Sequence, residues 1–344
     1  MKYKLIIVFL TFVIIFQGCC TFSGYNYEGE ANEHFDGNQF INEHFRDISF
    51  WDIIVWNATK ERSVWRTVNK NKYSDIPPAK VNDGSINITY INHATVLIQY
   101  DGINVLTDPV WSFRISPVSF IGPERKRKPG VKLDDLPPID LVIISHNHYD
   151  HMDLSTLKIL KEKSDPLFIV PLGNKKLLDE NSLTNTIEMD WWQEHKLYDK
   201  HLITMVPAEH FSMRGLCDRN TTLWSGYMLN TKKGNVLYAG DTGFSDHFQE
   251  IKDYFGDIFF SMLPIAPVEP RWLMEGVHMS PEEAVKAHLI LGSEISMGVH
   301  FGTFQQADDP QDLAIDLLKE AMISNNVSPK NFKLLPHGML YEVD

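Results

Sequence analysis

A layered α/β domain beginning near residue 80 is predicted by three features of this 344-residue chain. Short apolar runs of β type recur from Ile86 onward, helical segments with recognisable caps lie between them, and no internal repeat of solenoid period is present. Hydrophobic residues make up 43% of the chain, which is ordinary for a globular protein with a sizeable core.

In chain order, the first element is an export signal. Lys2 and Lys4 precede an apolar run from Leu5 to Phe16, followed by Gln17, Gly18, Cys19 and Cys20. The run is short for a membrane-spanning helix. Glycine directly before Cys19 is similar to a bacterial lipoprotein processing site, so residues 1–19 are expected to be removed or lipid-modified at Cys19. This places the protein in the cell envelope, anchored to a membrane surface. Residues 20–45, polar and rich in Gly, Asn and Glu, read as a tether, and residues 46–344 as the folded body with a helical extension at its start. Ile48, Trp51, Ile54 and Val55 give that first helix an apolar face, for which packing on the body is expected over resting on a membrane. Cys217 is the only cysteine of residues 46–344, so the body alone cannot form an internal disulfide.

The β-type runs are Ile86 to Ile91, Ala94 to Tyr100 and, after the Asp101-Gly102 turn, Ile103 to Thr107. Leu141 to Ser145 is a continuous apolar run. The series continues through Leu202 to Val206, Leu223 to Leu229, Val236 to Ala239, Asp257 to Met262 and Ile295 to Val299. A helix starting at Ser280-Pro281-Glu282-Glu283 has a capping box, proline at its first position and Gly292 as its stop. A second helix is expected from Pro310 to Ile323.

The formal net charge is −13, from 45 acidic against 32 basic residues. That balance offers nothing to a nucleic-acid backbone, and nucleic acid is excluded as the expected partner. The basic run Arg125-Lys126-Arg127-Lys128 could meet phosphate or anionic headgroups, although a solvated loop accounts for most of its members.

Chemistry concentrates where the run Leu141 to Ser145 ends: His146-Asn147-His148-Tyr149-Asp150-His151 puts four potential ligands on six residues. Neutral imidazoles beside a carboxylate are what zinc and similar divalent ions require. Three histidines this close are costly to bury without a metal. Further donors should stand at the ends of other strands, and three do: His210 after Leu202 to Val206, Asp241 after Leu237-Tyr238-Ala239-Gly240, and His300 after Ile295 to Val299. Gly240 and Gly302 permit close backbone approach there.

The order and spacing of these residues resemble the metallo-β-lactamase superfamily. The runs Ile91–Thr95, Leu106–Trp111, Ser116–Pro123, Ser145–Asp153, Asp218–Trp224, Ala239–Gly243 and Glu269–Trp272 are similar to the N-acylphosphatidylethanolamine-hydrolysing phospholipase D family, over about residues 34–304. The resemblance implies an αββα sandwich with two divalent ions, Zn2+ first among them, at one edge. His146, His148 and His210 would hold one ion, Asp150, His151 and His300 the other, and Asp241 would bridge them. It also implies activity roles for Asp108, as an acceptor orienting a ligand imidazole, and for His278, near substrate or a ligand. The implied reaction is hydrolysis of a phospholipid phosphodiester by a metal-bridging hydroxide, yielding phosphatidic acid and an N-acylethanolamine, with Asp150 or a water as proton donor to the leaving group. A homodimer is a further expectation.

Trp111, Phe113, Phe120, Trp224, Trp272 and Leu273 are the candidates for lipid contact, with core packing as their alternative. Alternative functions are hydrolysis of a small lactone, amide or soluble phosphodiester, and a non-catalytic envelope lipoprotein.

Overall fold

The structure is a computed structural model that describes residues 23–42, 48–61 and 63–343. The expected signal, Cys19 and the first residues of the expected tether lie outside the described residues. Two seven-stranded sheets pack face to face with helices on their outer sides, as expected of the αββα sandwich. The first sheet has strand order β14-β1-β2-β3-β4-β5-β6, from β1 (Ile86–Asn92), β2 (Thr95–Tyr100), β3 (Ile103–Thr107), β4 (Leu141–Ile143), β5 (Leu167–Pro171), β6 (Thr186–Met189) and β14 (Leu340–Val343). The second has order β13-β12-β11-β10-β9-β8-β7, from β7 (Glu194–Leu197), β8 (His201–Val206), β9 (Gly226–Thr231), β10 (Gly234–Tyr238), β11 (Phe260–Pro264), β12 (Ile295–Val299) and β13 (Phe332–Lys333).

Why the apolar runs are continuous rather than alternating is visible in β4. Leu141 and Ile143 face the core between the sheets, while Val142 and the following Ile144 face the helix layer. Successive side chains of a strand point to opposite faces, so a strand covered on both faces needs apolar residues at every position. The outer layer over the first sheet is α2 (Leu154–Ser164) and α3 (Lys175–Glu180), contributing Leu157, Leu160 and Leu178. Over the second sheet lie α4 (His247–Phe255), α6 (Pro281–Ile290) and α7 (Leu313–Ser324), separated in sequence from α4 by the short α5 (Arg271–Met274). The capping box at Ser280 and Glu283 is formed, with each side chain bonding the other's backbone N–H.

Two expectations for the N-terminal part are corrected. Residues 23–42 are not a free tether: Phe35 and Phe40 are fully buried against Trp224 and Leu223, and the Phe40 N–H donates to the Asn220 carbonyl at 2.7 Å. Three aromatic residues, with Tyr27, supply enough apolar surface to dock an otherwise polar segment. The first helix, α1 (Phe50–Thr59), forms with a Ser49–Asp52 capping box, but its apolar face is not buried on the body. Trp51 is 70% exposed and Val55 51%, whereas Trp56 and the preceding Ile48 pack against Leu273 and Met274.

Cys217 is disulfide-bonded, which the single cysteine of residues 46–344 does not allow within the body alone. The two other cysteines, Cys19 and Cys20, lie outside the described residues. No described helix is long and apolar enough to cross a membrane.

Candidate metal centre

Both sheets have a parallel half, β3-β4-β5-β6 and β10-β11-β12-β13, and these halves open toward one edge of the sandwich. Carboxyl ends of parallel strands are where loops leave a sheet free to carry ligands. Asp108 follows β3, the histidine run follows β4, His210 follows β8, Asp241 follows β10 and His300 follows β12. All seven expected metal ligands meet there. Clusters close enough to hold an ion are His146 with His148 and His210; His93 with Asp150, His151 and His300; His146 with His151 and Asp241; and His210 with Asp241 and His278.

The histidine loop is fixed at its C-terminal end and at its middle. Asp153 caps α2, accepting from the Ser155 and Thr156 N–H groups, an arrangement worth about 1 kcal/mol. Arg214 clamps the middle, donating to the carbonyls of Asn147 at 2.7 Å and Met152 at 3.0 Å while stacking on Tyr149. Gly240 lets the opposing strand close on this loop. A Cβ there would stand 2.7 Å from the Ser145 Cβ and from the Ser225 carbonyl oxygen, and its φ is +65°. Gly302 differs from expectation, because added bulk there meets little; its φ of +68° is what favours glycine.

Four of the imidazoles are each oriented by a hydrogen bond on the outer nitrogen. His210 Nδ1 donates to the Val277 carbonyl at 2.8 Å, His300 Nδ1 to the Ala266 carbonyl at 2.9 Å, and His146 Nδ1 to Ser145 Oγ at 2.9 Å. His151 Nδ1 faces Asp108 Oδ2 at 2.5 Å. Asp108 is fully buried and also accepts from the Ser145 N–H, the Ser145 hydroxyl and the Tyr238 hydroxyl. Locking one ring nitrogen fixes the tautomer and aims the other inward, the arrangement that metal-binding histidines use.

The inward nitrogens then converge on one another and on the carboxylates. His146 Nε2 lies 2.7 Å from His148 Nδ1, although the proton of His146 is committed to Ser145. His151 Nε2 and His300 Nε2 are 3.2 Å apart, each 3.1 Å from Asp241 Oδ2. Asp241 Oδ1 and His278 Nδ1 are buried without a partner. Converging donor atoms of this kind fit cations between them, and imidazole with carboxylate fits zinc and its neighbours.

Electrostatics divides the cluster. Burial, reinforced by neighbouring imidazoles, holds His146 and His148 well below the ordinary histidine range and His210 at about 4. Burial also opposes protonation of His151 and His300, but the carboxylates outweigh it there. Asp241, Asp150 and Asp108 raise His151 well above its usual value, and Asp241 with Asp150 raises His300 to about 9. Burial disfavours the charged carboxylates, yet the same histidines hold Asp150 and Asp241 well below the usual carboxylate range.

Two residues of the centre had no role in the sequence reading. His93 Nε2 stands 2.8 Å from Asp150 Oδ2, its ring lies tilted against His300 with centroids 3.8 Å apart, and burial lowers it to about 3. Its signal was present, since it follows β1 as the other histidines follow strands. Gln306 Nε2 donates to the same oxygen at 2.9 Å, and nothing in the sequence distinguishes it. His93, Asp108 and His300 all have positive φ, 48°, 34° and 65°, so strained backbone gathers here.

A cavity of about 370 Å³ opens onto His148, Asp150, Asp241 and His278. Its walls are apolar, from Ile48, Trp56, Phe211, Leu273, Met274 and Val277 among others. The six lipid-contact candidates therefore separate. Trp224 is core, and Trp111 is half-buried with its Nε1 donating to the Val131 carbonyl. Leu273 lines the cavity, while Phe113, Phe120 and Trp272 are 59%, 79% and 53% exposed.

Comparison with known proteins agrees with this geometry. The model of the β-lactamase superfamily domain matches residues 103–301. N-acyl-phosphatidylethanolamine-hydrolyzing phospholipase D 1 of Caenorhabditis elegans is 36% identical over 266 residues, covering 74% of this chain and 75% of that protein. A protein of Methanopyrus kandleri named a metal-dependent hydrolase is 28% identical over 237 residues, 65% of this chain and 88% of its own. Among solved structures, isothiocyanate hydrolase from Delia radicum gut bacteria superposes with a TM-score of 0.59 at 19% identity, over 74% of this chain and 98% of that one; at that identity the likeness concerns the fold.

Proposed function

Since the chain belongs to the metallo-β-lactamase superfamily and is a metal-dependent hydrolase, we propose that it cleaves a phospholipid phosphodiester, releasing phosphatidic acid and an N-acylethanolamine. The observation that carries this reading is the apolar cavity opening onto the histidine and aspartate cluster. Acyl chains would be removed from water against that apolar wall while the phosphodiester faces the histidines and aspartates.

In this proposal His146, His148 and His210 hold one zinc ion and Asp150, His151 and His300 a second, with Asp241 facing both. When bound, the ions supply Lewis acidity toward phosphoryl oxygens and lower the pKa of water toward neutrality. The chain's own residues do the rest. Asp108 fixes the His151 ring through Nδ1, and His93 and Gln306 hold Asp150 Oδ2 in place. That oxygen is crowded by donors and its carboxyl is held well below the usual range, so Asp150 is a poor proton source for the leaving alkoxide. His278, with an unpartnered Nδ1 on the cavity wall, offers a hydrogen bond to a phosphoryl or leaving-group oxygen.

Exposed Trp51, Phe113, Phe120, Ile121 and Trp272 are close in sequence to the cavity-lining Ile53, Ile115, Pro123 and Leu273. They support a body that rests on a membrane surface, alongside anchoring through Cys19 and catalysis by residues 46–344. Incubating zinc-loaded protein with N-acylphosphatidylethanolamine vesicles should yield phosphatidic acid by mass spectrometry. Turnover of a lactone or bis(p-nitrophenyl) phosphate with no phosphatidic acid rejects the lipid substrate.

A further inference from the structure

Far from the metal cluster in sequence, the C-terminal elements α7, β13 and the approach to β14 enclose a second apolar cavity of about 620 Å³. Met322, Ile323, Val327, Phe332, Leu334 and Met339 line it, and Lys319 and Lys333 stand among them. Leu334, Leu335 and Pro336 form a wall shared with a smaller cavity of about 230 Å³. That smaller cavity is cationic, with Lys72 and Arg127 in its lining against one carboxylate, Asp312, while burial keeps the His337 imidazole neutral. Asp312 is itself paired with Arg66 at 3.6 Å.

Arg127 is the informative residue. Within the basic run its neighbours have structural partners: Arg125 donates to Asn92 Oδ1 and the Val110 carbonyl under the Phe304 ring, and Lys126 pairs with Glu124. Arg127 makes no ion pair among the described residues, and its Nε is buried without a hydrogen-bond partner. Burial lowers its pKa from the ordinary arginine value. A half-buried guanidinium with an unsatisfied N–H is costly unless an anion completes it. In a chain with formal net charge −13, a lining with Lys72, Arg127 and Lys333 against Asp312, with Lys319 paired to Asp316, is a local inversion of sign.

We propose that these two cavities form one binding site for a single-chain amphiphilic anion. Its carboxylate or phosphate head meets Arg127 and Lys72, and its alkyl tail enters the cavity beneath α7. The combined volume falls in the range of small-molecule sites. The site is separate from the catalytic cavity, which shares no lining residue with either part, so it stands independently of the phospholipase reading.

Isothermal titration of the full metal-loaded chain with decyl phosphate or decanoate, below their micelle concentrations, tests this. Beside any binding in the catalytic cavity, saturable binding at a site sensitive to Arg127 and Met322 is expected, and the tighter of the two probes there identifies a phosphate or a carboxylate head. Arg127→Gln should weaken binding about tenfold, the loss of one charge-assisted bond. Met322→Trp should weaken it by filling the tail cavity. The exposed Lys72→Met variant keeps the test valid if Arg127→Gln unfolds, and should weaken binding about threefold.

Phe211→Trp, in the catalytic cavity, should leave the Arg127-dependent binding unchanged. Absence of saturable binding, equal affinity for inorganic phosphate, equal competition by octyl glucoside, or loss of binding only in Phe211→Trp each overturns the proposal. So does a concentration-dependent dimer whose dissociation by Ile323→Arg is what frees the cavity.

Discussion

The half of the cluster made by His146, His148 and His210 differs in chemistry from the half made by Asp150, His151 and His300, although one six-residue loop feeds both. The first half is three imidazoles, two of them backed by neutral acceptors, Ser145 Oγ and the Val277 carbonyl. In the second, His151 leans on the Asp108 carboxylate, and Asp150 and Asp241 lie within 3.3 Å of imidazole nitrogens. Proximity in sequence thus does not set the electrostatics of a ligand. The partner on the outer nitrogen does, together with the carboxylates that the opposite sheet brings in.

The comparison gives predictions of decreasing size. Asp241 faces both halves, so Asp241→Ala should empty both. Metal content measured by plasma mass spectrometry should fall from about two ions per chain toward zero, with an activity loss beyond the about 10–100-fold typical of supporting residues. Retention of either would end the bridging assignment.

Removing a ligand from one half only should split the stoichiometry. His146→Ala is expected to leave about one ion per chain, held by the carboxylate-rich half. Loss of both ions would show that the halves do not fill separately.

Asp108→Asn should lower affinity at the second half by about 10–100-fold and spare the first, read by competition with a chromogenic chelator.

Metal uptake should also release protons unequally. At pH 7 His210, near 4, is already neutral, whereas His300, near 9, and His151 carry protons that binding must displace. Calorimetry in buffers of different ionisation enthalpy should find proton release for His146→Ala and much less for His300→Ala.

The smallest effect lies behind the second half. Asp309 accepts from the Val268 and Glu269 N–H groups, just beyond Ala266, whose carbonyl orients His300. Burial raises the Asp309 carboxyl from 3.8 to about 6. Between those values the folded state binds more protons than the unfolded one, so this group's contribution falls as pH rises through the window and stays low above it. Asp309→Asn, whose amide accepts from only one of these N–H groups, should melt below the parent near pH 4 and lose less of its melting temperature than the parent between pH 4 and pH 7, by on the order of 2–4 °C.

Much of the second sheet was legible because its strands end on distinctive residues, and the α6 helix because Ser280, Pro281 and Glu283 mark its start. Strands β5, β6, β7, β13 and β14 were not; four of these five have four residues or fewer, and segments such as Glu194–Leu197 carry too little apolar pattern to declare themselves. The segment 23–42 was misread because its polar composition hid three aromatic anchors. His93 and Gln306 escaped for a different reason: a residue that supports a ligand across the fold has no required spacing from it.

What the sequence determined by itself was the inventory and its placement. Imidazoles and carboxylates of metal-binding type stand at strand ends, because strand ends are marked locally by apolar runs breaking into polar residues. What only tertiary structure decided was which nitrogen of each ring faces inward, which histidines stay neutral, and which arginine of the basic run lacks a partner. Those outcomes depend on hydrogen bonds and charges from residues tens to hundreds of positions away, as with His210 and the Val277 carbonyl, or His151 and Asp241. Local spacing carries no record of such distances until the two sheets close.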